Sequence, residues 1–243
     1  MKKKQTIFAI IGGIVLVALV GVVVYFSNYN KLDHVALPQL TTTVASDEAE
    51  VELVTTDGNI KMKLFPKLAP KAVENFLTLS KEGYYKNNEF FRVLDNFMIQ
   101  TGSKDNKASG ESKSIFGAPF ANEISDQLYN IRGAVSLANA GQGTTSNGSQ
   151  FFIVQNPKDM SSQIDTSSYP SKIAAAYKHG GYPSLDGQYT VFGQVISGMN
   201  VVDKIAAGKV SAATDSSGGS AGTPVSPVKI TEVKILKDWK FSN

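Results

Sequence analysis

The stretch FFRVLDNFMIQTG, residues 90–102, sets one cation inside an apolar run. Arginine is almost never fully buried without a partner. Arg92 therefore either points to water from an ordinary strand or is held against an apolar pocket for a purpose. FFRVL (90–94) and MIQT (98–101) read as short strands around Asp95-Asn96-Phe97. A three-residue turn would pair position 94 with 98 and 92 with 100, placing Arg92, Met98 and Gln100 on one face. A two-residue turn would part Arg92 from Gln100, because a slip of one residue flips faces. The residues alone leave both turns open.

Outward from this stretch, short apolar segments recur. Val51 and Leu53, then Ile60, Met62 and Leu64, alternate with polar residues around Asp57-Gly58, which predicts a hairpin. LAPKAVENFLTLSKEG places Pro70 at a helix start, Val73, Phe76, Leu77 and Ser80 on one face, and Gly83 at the stop. Further strands are expected at 134–139, 150–154, 189–195 and 228–236, with a second helix over GMNVVDKIAAG, closed by Gly208. Many short strands with few helices predict a mainly β, closed or sandwiched antiparallel domain. Residues 156–181 read as a long insertion with one or two helical turns at 171–178, and 208–227 as a Ser/Gly/Ala-rich loop.

Residues 7–26 (IFAIIGGIVLVALVGVVVYF) carry no charge. At ~1.5 Å per residue such a run spans the ~30 Å hydrocarbon core of a bilayer. Lys2, Lys3 and Lys4 precede it, which keeps the N-terminus cytoplasmic and puts the rest outside. A cleaved signal peptide has a shorter core and a small-residue cleavage site, whereas this run leads into Tyr25-Phe26. The expected organisation is an anchor at 1–26, a polar, Thr/Ser-rich tether at 27–48, and one domain at 49–238. The net charge of +3 resides in residues 1–46; beyond them acidic and basic residues balance, so no overall field favours nucleic acid.

The 243-residue chain has no cysteine, which excludes disulfides, thiolate metal sites and cysteine nucleophiles. Its two histidines, His34 and His179, have no metal-ligand partner at useful spacing and no triad carboxylate in view. NAGQGTTSNGSQ (139–150) is rich in glycine and hydroxyls, but it runs into a strand and lacks Gly-Lys-Ser/Thr, so it is not a phosphate loop.

FFRVLDNFMIQTG resembles the Phe-x-Arg…Phe-Met-x-Gln-x-Gly signature of the cyclophilins, the cyclosporin-type peptidyl-prolyl isomerases. SLANAGQGTTSNGSQFFI and SLDGQYTVFGQVISGMNVVD resemble two further signatures, and LAPKAVENFLTLSKEGYY is similar to the family's first helix. The resemblance runs from about residue 50 to 236, in order. It implies an eight-stranded antiparallel β-barrel, closed and capped by two helices, here preceded by one transmembrane helix. It also implies Arg92 as catalytic residue and a proline pocket of Phe97, Met98, Phe152 and Leu185. Gln100, Ala138, Asn139 and Gln150 would line the groove for the peptide backbone, with Tyr189 at a position often occupied by histidine. Ser184 departs from the tryptophan that many eukaryotic members carry against cyclosporin.

The activity implied is cis–trans exchange of X-Pro bonds without metal or cofactor. The expected clients are exported polypeptides folding outside the membrane, and the expected state is a monomer. A tethered module that binds proline segments without turning them over is the alternative.

Overall fold

The computed structural model describes residues 31–140, 145–211 and 222–241. Residues 7–26, the expected membrane span, lie outside them; among the described residues no helix is long and apolar enough to cross a membrane.

The Asp57-Gly58 hairpin joins β1 (Ala49–Thr55) to β2 (Gly58–Leu64), with Val51 opposite Met62 and Leu53 opposite Ile60. All four side chains are fully buried, at ~1.5–3 kcal/mol each for an aliphatic side chain taken out of water. Six more strands follow: β3 (Arg92–Leu94), β4 (Met98–Thr101), β5 (Ala134–Leu137), β6 (Phe151–Val154), β7 (Val191–Ser197) and β8 (Ile230–Lys237). They form one antiparallel sheet in the order β3-β4-β6-β5-β7-β2-β1-β8.

The expected closed barrel is corrected to a curled half-barrel, because β3 and β8 do not pair as strands. Among the described residues their seam is crossed only where the chain enters β3. Glu89 bridges Lys229, Phe90 N donates to Val228 O (2.9 Å), and Ile230 N donates to Asn88 O (2.9 Å). Beyond that point β3 turns away to follow β4, and Val93 N donates instead to Gly222 O (2.9 Å).

Helix α1 (Pro70–Lys81) buries Val73, Phe76, Leu77 and Ser80 as the periodicity predicts. Its first N–H groups have no local cap. Glu123 supplies one from across the chain, accepting from Lys71 N and Ala72 N at 3.0 Å each. Burial pushes the Glu123 carboxyl upward while those two donors pull it down. The insertion carries α2 (Ser171–Ala176), and α3 (Met199–Ala206) buries Val202 and Ile205. The insertion is ordered around its own small cluster, in which Ile173 and Tyr177 are fully buried beside Tyr129, Ile131 and Met160.

The tether expectation for 27–48 changes where residues are described. Gln39 and Glu48 are buried, and Leu37 packs on the insertion's cluster. Glu48 accepts from Lys63 Nζ at 3.2 Å, and Thr43 O accepts from the same ammonium at 3.1 Å. Lys63 reads as a solvent-facing position of an alternating strand, yet it is fully buried, because residues 43–48 cover that face of β2. A buried charge persists only when it is paired and hydrogen-bonded, so this segment is an integral strap.

Candidate active site

The register of β3 and β4 answers the question posed by Arg92. Arg92 lies opposite Gln100, Val93 opposite Ile99, and Leu94 opposite Met98, so the turn is Asp95-Asn96-Phe97. Phe97 N donates to Leu94 O (3.0 Å), and Asn96 adopts a left-handed conformation (φ 60°), which asparagine tolerates better than most residues. Gln155 Oε1 accepts from Asn96 N (2.9 Å) and fastens the turn to the end of β6. Gly102 has φ 94°, and a Cβ there would lie 2.3 Å from Ser149 O, so only glycine lets the chain leave β4 at this point.

Alternation on β3, β4 and β6 separates two surfaces. Val93, Ile99, Phe151 and Ile153 enter the main core. Met98 and Phe152 face the other way and pack with Leu185, Val191 and Phe65. This second cluster forms one wall of a cavity of about 370 Å³. All ten residues singled out from the sequence line it: Arg92, Phe97, Met98, Gln100, Ala138, Asn139, Gln150, Phe152, Leu185 and Tyr189.

The polar wall is a chain of side-chain contacts. Arg92 Nη1 donates to Gln100 Oε1 (3.2 Å), and Gln100 Nε2 donates to Gln150 Oε1 (3.1 Å). Gln150 Nε2 then donates to Gly110 O (3.0 Å) and Ala108 O (3.3 Å). Gln100 and Gln150 are buried, so each amide has a fixed orientation and the guanidinium is presented from a rigid edge. Asn139 Nδ2 donates to Asn122 Oδ1 (3.2 Å) and Gln188 O (3.3 Å), which turns that side chain across the second end of the cavity. The apolar wall is equally constrained: the Phe97 and Tyr182 ring centroids lie 4.5 Å apart, and Phe152 meets Tyr189 edge-on at 5.5 Å.

The sequence reading misses the cavity's third side, made by Ala108, Ser109, Gly110, Ser112, Ala140 and Ser146. Residues 103–112 are polar and without periodicity, so nothing in them distinguishes a lining loop from a solvated one. Tyr182, which backs Phe97, is also unmarked in the sequence. Among the described residues that line the cavity there is no Asp, Glu, His or Cys. The arrangement places one oriented cation beside an apolar wall, bordered by amides suited to an extended backbone.

The family model for cyclophilin type peptidyl-prolyl cis-trans isomerase/CLD matches residues 50–235. A Staphylococcus epidermidis protein provisionally named a peptidyl-prolyl cis-trans isomerase is 45% identical over 202 residues, covering 82% of this chain and 97% of its own. A Staphylococcus saprophyticus protein of the same provisional name is 41% identical over 204 residues, covering 82% of this chain and 98% of its own. Among solved structures, a Cryptosporidium parvum cyclophilin type peptidyl-prolyl cis-trans isomerase superposes with a TM-score of 0.61 at 29% identity, over 79% of this chain and 99% of that one. A second crystal structure of that protein, obtained in the presence of the dipeptide Ala-Pro, matches equally, with a TM-score of 0.61. With three signatures on one half-barrel, their side chains meeting in one cavity, and a family match over most of its length, the chain belongs to the cyclophilin-type peptidyl-prolyl cis-trans isomerases.

Proposed function

We propose that Arg92 is the catalytic residue of this isomerase and that Phe97, Met98, Phe152 and Leu185 receive the proline ring. A prolyl amide exchanges slowly because C–N resonance imposes a barrier of ~18–20 kcal/mol. No bond is made or broken, so stabilising the twisted amide is sufficient. In that state the prolyl nitrogen becomes pyramidal and gains a lone pair, to which a guanidinium can donate. Neither planar isomer offers that acceptor, so the interaction favours the transition state over both ground states. A guanidinium carries five donors in a fixed fork, and can therefore hold Gln100 and a substrate together. The apolar wall strengthens the field at the nitrogen by excluding water. Gln100, Ala138, Asn139 and Gln150 would bind the peptide backbone on either side of the proline, with Tyr189 bordering the slot.

The observation that carries this reading is the Arg92–Gln100–Gln150 contact chain at the edge of the apolar cavity. The Ala-Pro dipeptide present with the Cryptosporidium structure supports a proline-containing substrate. Exchange measured by NMR on an Ala-Pro peptide tests it. Acceleration that disappears in Arg92→Ala is expected; binding without acceleration would leave a non-catalytic proline-binding module.

The location follows from residues 1–26. An uncharged run of twenty residues behind three lysines supports a single membrane anchor, with the isomerase on the extracytoplasmic side acting on exported polypeptides. Protease added to wall-stripped intact cells should digest the domain; protection until the membrane is broken would reverse the orientation.

A further inference from the structure

The wall of the pocket that carries Leu185 is a single 3-10 turn, Pro183–Leu185. A turn of this length has little internal support, two backbone hydrogen bonds and one from Gln188 Nε2 to Ser184 O, and one residue bonds to both of its flanks. Asn130 O accepts from Tyr182 N (2.8 Å) at the start. Asn130 N and Nδ2 donate to Asp186 Oδ1 (2.6 and 3.0 Å) at the end. Tyr177 from the insertion donates its hydroxyl to Asp186 Oδ2 (2.5 Å), so the carboxylate is also gripped from behind. Asn130 is 1% exposed and cannot exchange these partners for water.

Asn130 is in turn set by its neighbour. Gln39, in the strap, lies 4% exposed against the backbone of Tyr129. It donates from Nε2 to Tyr129 O (2.8 Å) and accepts at Oε1 from Tyr129 N (2.7 Å), as a neighbouring strand would. Its second Nε2 hydrogen reaches Gln194 Oε1 (2.9 Å) on β7. Every polar atom of this amide is engaged, ninety residues away in sequence from the peptide it holds.

We propose that Gln39 is a positioning residue for the proline pocket, acting through Tyr129, Asn130 and Asp186 on the Leu185 wall. This rests on the isomerase reading given above. Without Gln39 the buried Tyr129 N–H and C=O lose their partners, and a buried peptide so stripped moves to find others. Asn130 moves with it, and the 182–186 turn loses the geometry of both attachments. The loss belongs to ring binding rather than to the chemical step, because Leu185 is part of the apolar wall assigned to the ring, whereas the donor assigned to the prolyl nitrogen is Arg92. Uniform binding of this kind raises KM and leaves kcat unchanged.

The test uses the full chain in detergent micelles, below the unfolding transition of every variant, with an Ala-Pro peptide as probe. Gln39→Met keeps the volume and removes the hydrogen bonds. It should raise KM about three- to tenfold at constant kcat, and should shift the Leu185 methyl resonances. In a Leu185→Ala background the same substitution should add less than about twofold, since coupled sites are non-additive. A lowered melting temperature with unchanged KM and unmoved Leu185 signals would overturn the proposal and leave Gln39 a stabiliser only. Equal, multiplicative effects in both backgrounds would overturn the route through Leu185. A wild-type chain that fails to speed exchange would remove the isomerase reading, while the Leu185 resonances would still decide the coupling.

Discussion

Phe151 and Phe152 are adjacent on β6 and occupy different worlds. Phe151 packs edge-on against Phe76 (5.5 Å) inside the half-barrel, with Val93, Ile99 and Ile153 around it. Phe152 lies on the outer face, against Tyr189 and in the same cross-strand row as Gln100 and Arg92. The inner set is dominated by buried aliphatic and aromatic side chains, whereas the outer set mixes apolar rings with one cation and two buried amides. The comparison shows how a site gains precision. The same backbone atoms carry both sets, so close packing of the inner face fixes the outer face to within the tolerance that catalysis needs.

The sharpest way to break this division is Phe151→Ala. Truncating a buried aromatic should cost ~3–5 kcal/mol of stability, read as a lower denaturation midpoint at constant slope. A loss under about 1 kcal/mol would mean that the inner face does not carry the fold. Arg92→Ala tests the other side. It should lower kcat/KM by ~10²-fold, equivalent to ~3 kcal/mol of transition-state stabilisation, with the denaturation midpoint nearly unchanged. Arg92→Lys should recover little, because an ammonium lacks the planar fork that holds Gln100 while donating elsewhere.

Phe152→Ala separates the adjacent aromatics most directly. KM should rise about tenfold with kcat less affected, since it removes ring contacts worth ~1.5–3 kcal/mol when fully made. A loss of stability as large as that of Phe151→Ala would erase the distinction between faces. A smaller effect is expected at the rim, where Ser184 is exposed beside Leu185. Ser184→Trp should tighten cyclosporin binding about three- to tenfold by adding apolar area, as titration would show. No gain would identify the neighbouring insertion as the obstacle. The smallest effect concerns pH. With no Asp, Glu, His or Cys among the described residues that line the cavity, and a guanidinium charged throughout, kcat/KM should vary less than about twofold between roughly pH 6 and 8. A bell-shaped profile would require an acid–base group that the outer face does not supply.

Much of the outer face was legible because it follows local rules. Period-2 alternation placed Val93 and Ile99 inward and Arg92, Met98 and Gln100 outward once the turn length was known. The turn length itself was not legible, since Asp95-Asn96-Phe97 suits either connection. It is decided by Gln155, which receives Asn96 N from the end of β6. The loop that brings Ala108 and Gly110 to the cavity shows no pattern either, because its place is set by Gln150 donating to its carbonyls.

The strap marks the limit of sequence reading most clearly. Residues 32–48 have the composition of a solvated linker, and Lys63 has the spacing of a surface residue. Yet Lys63 and Glu48 are buried against each other, and Gln39 is buried against Tyr129. Hairpins, helix faces and the apolar run at 7–26 were determined by the sequence itself, because each depends on residues within a few positions of one another. Which polar groups are buried was decided only in three dimensions. An amide or an ion pair leaves water when a partner of matching geometry stands opposite it, and for Gln39 that partner lies ninety residues along the chain, where no local pattern reaches.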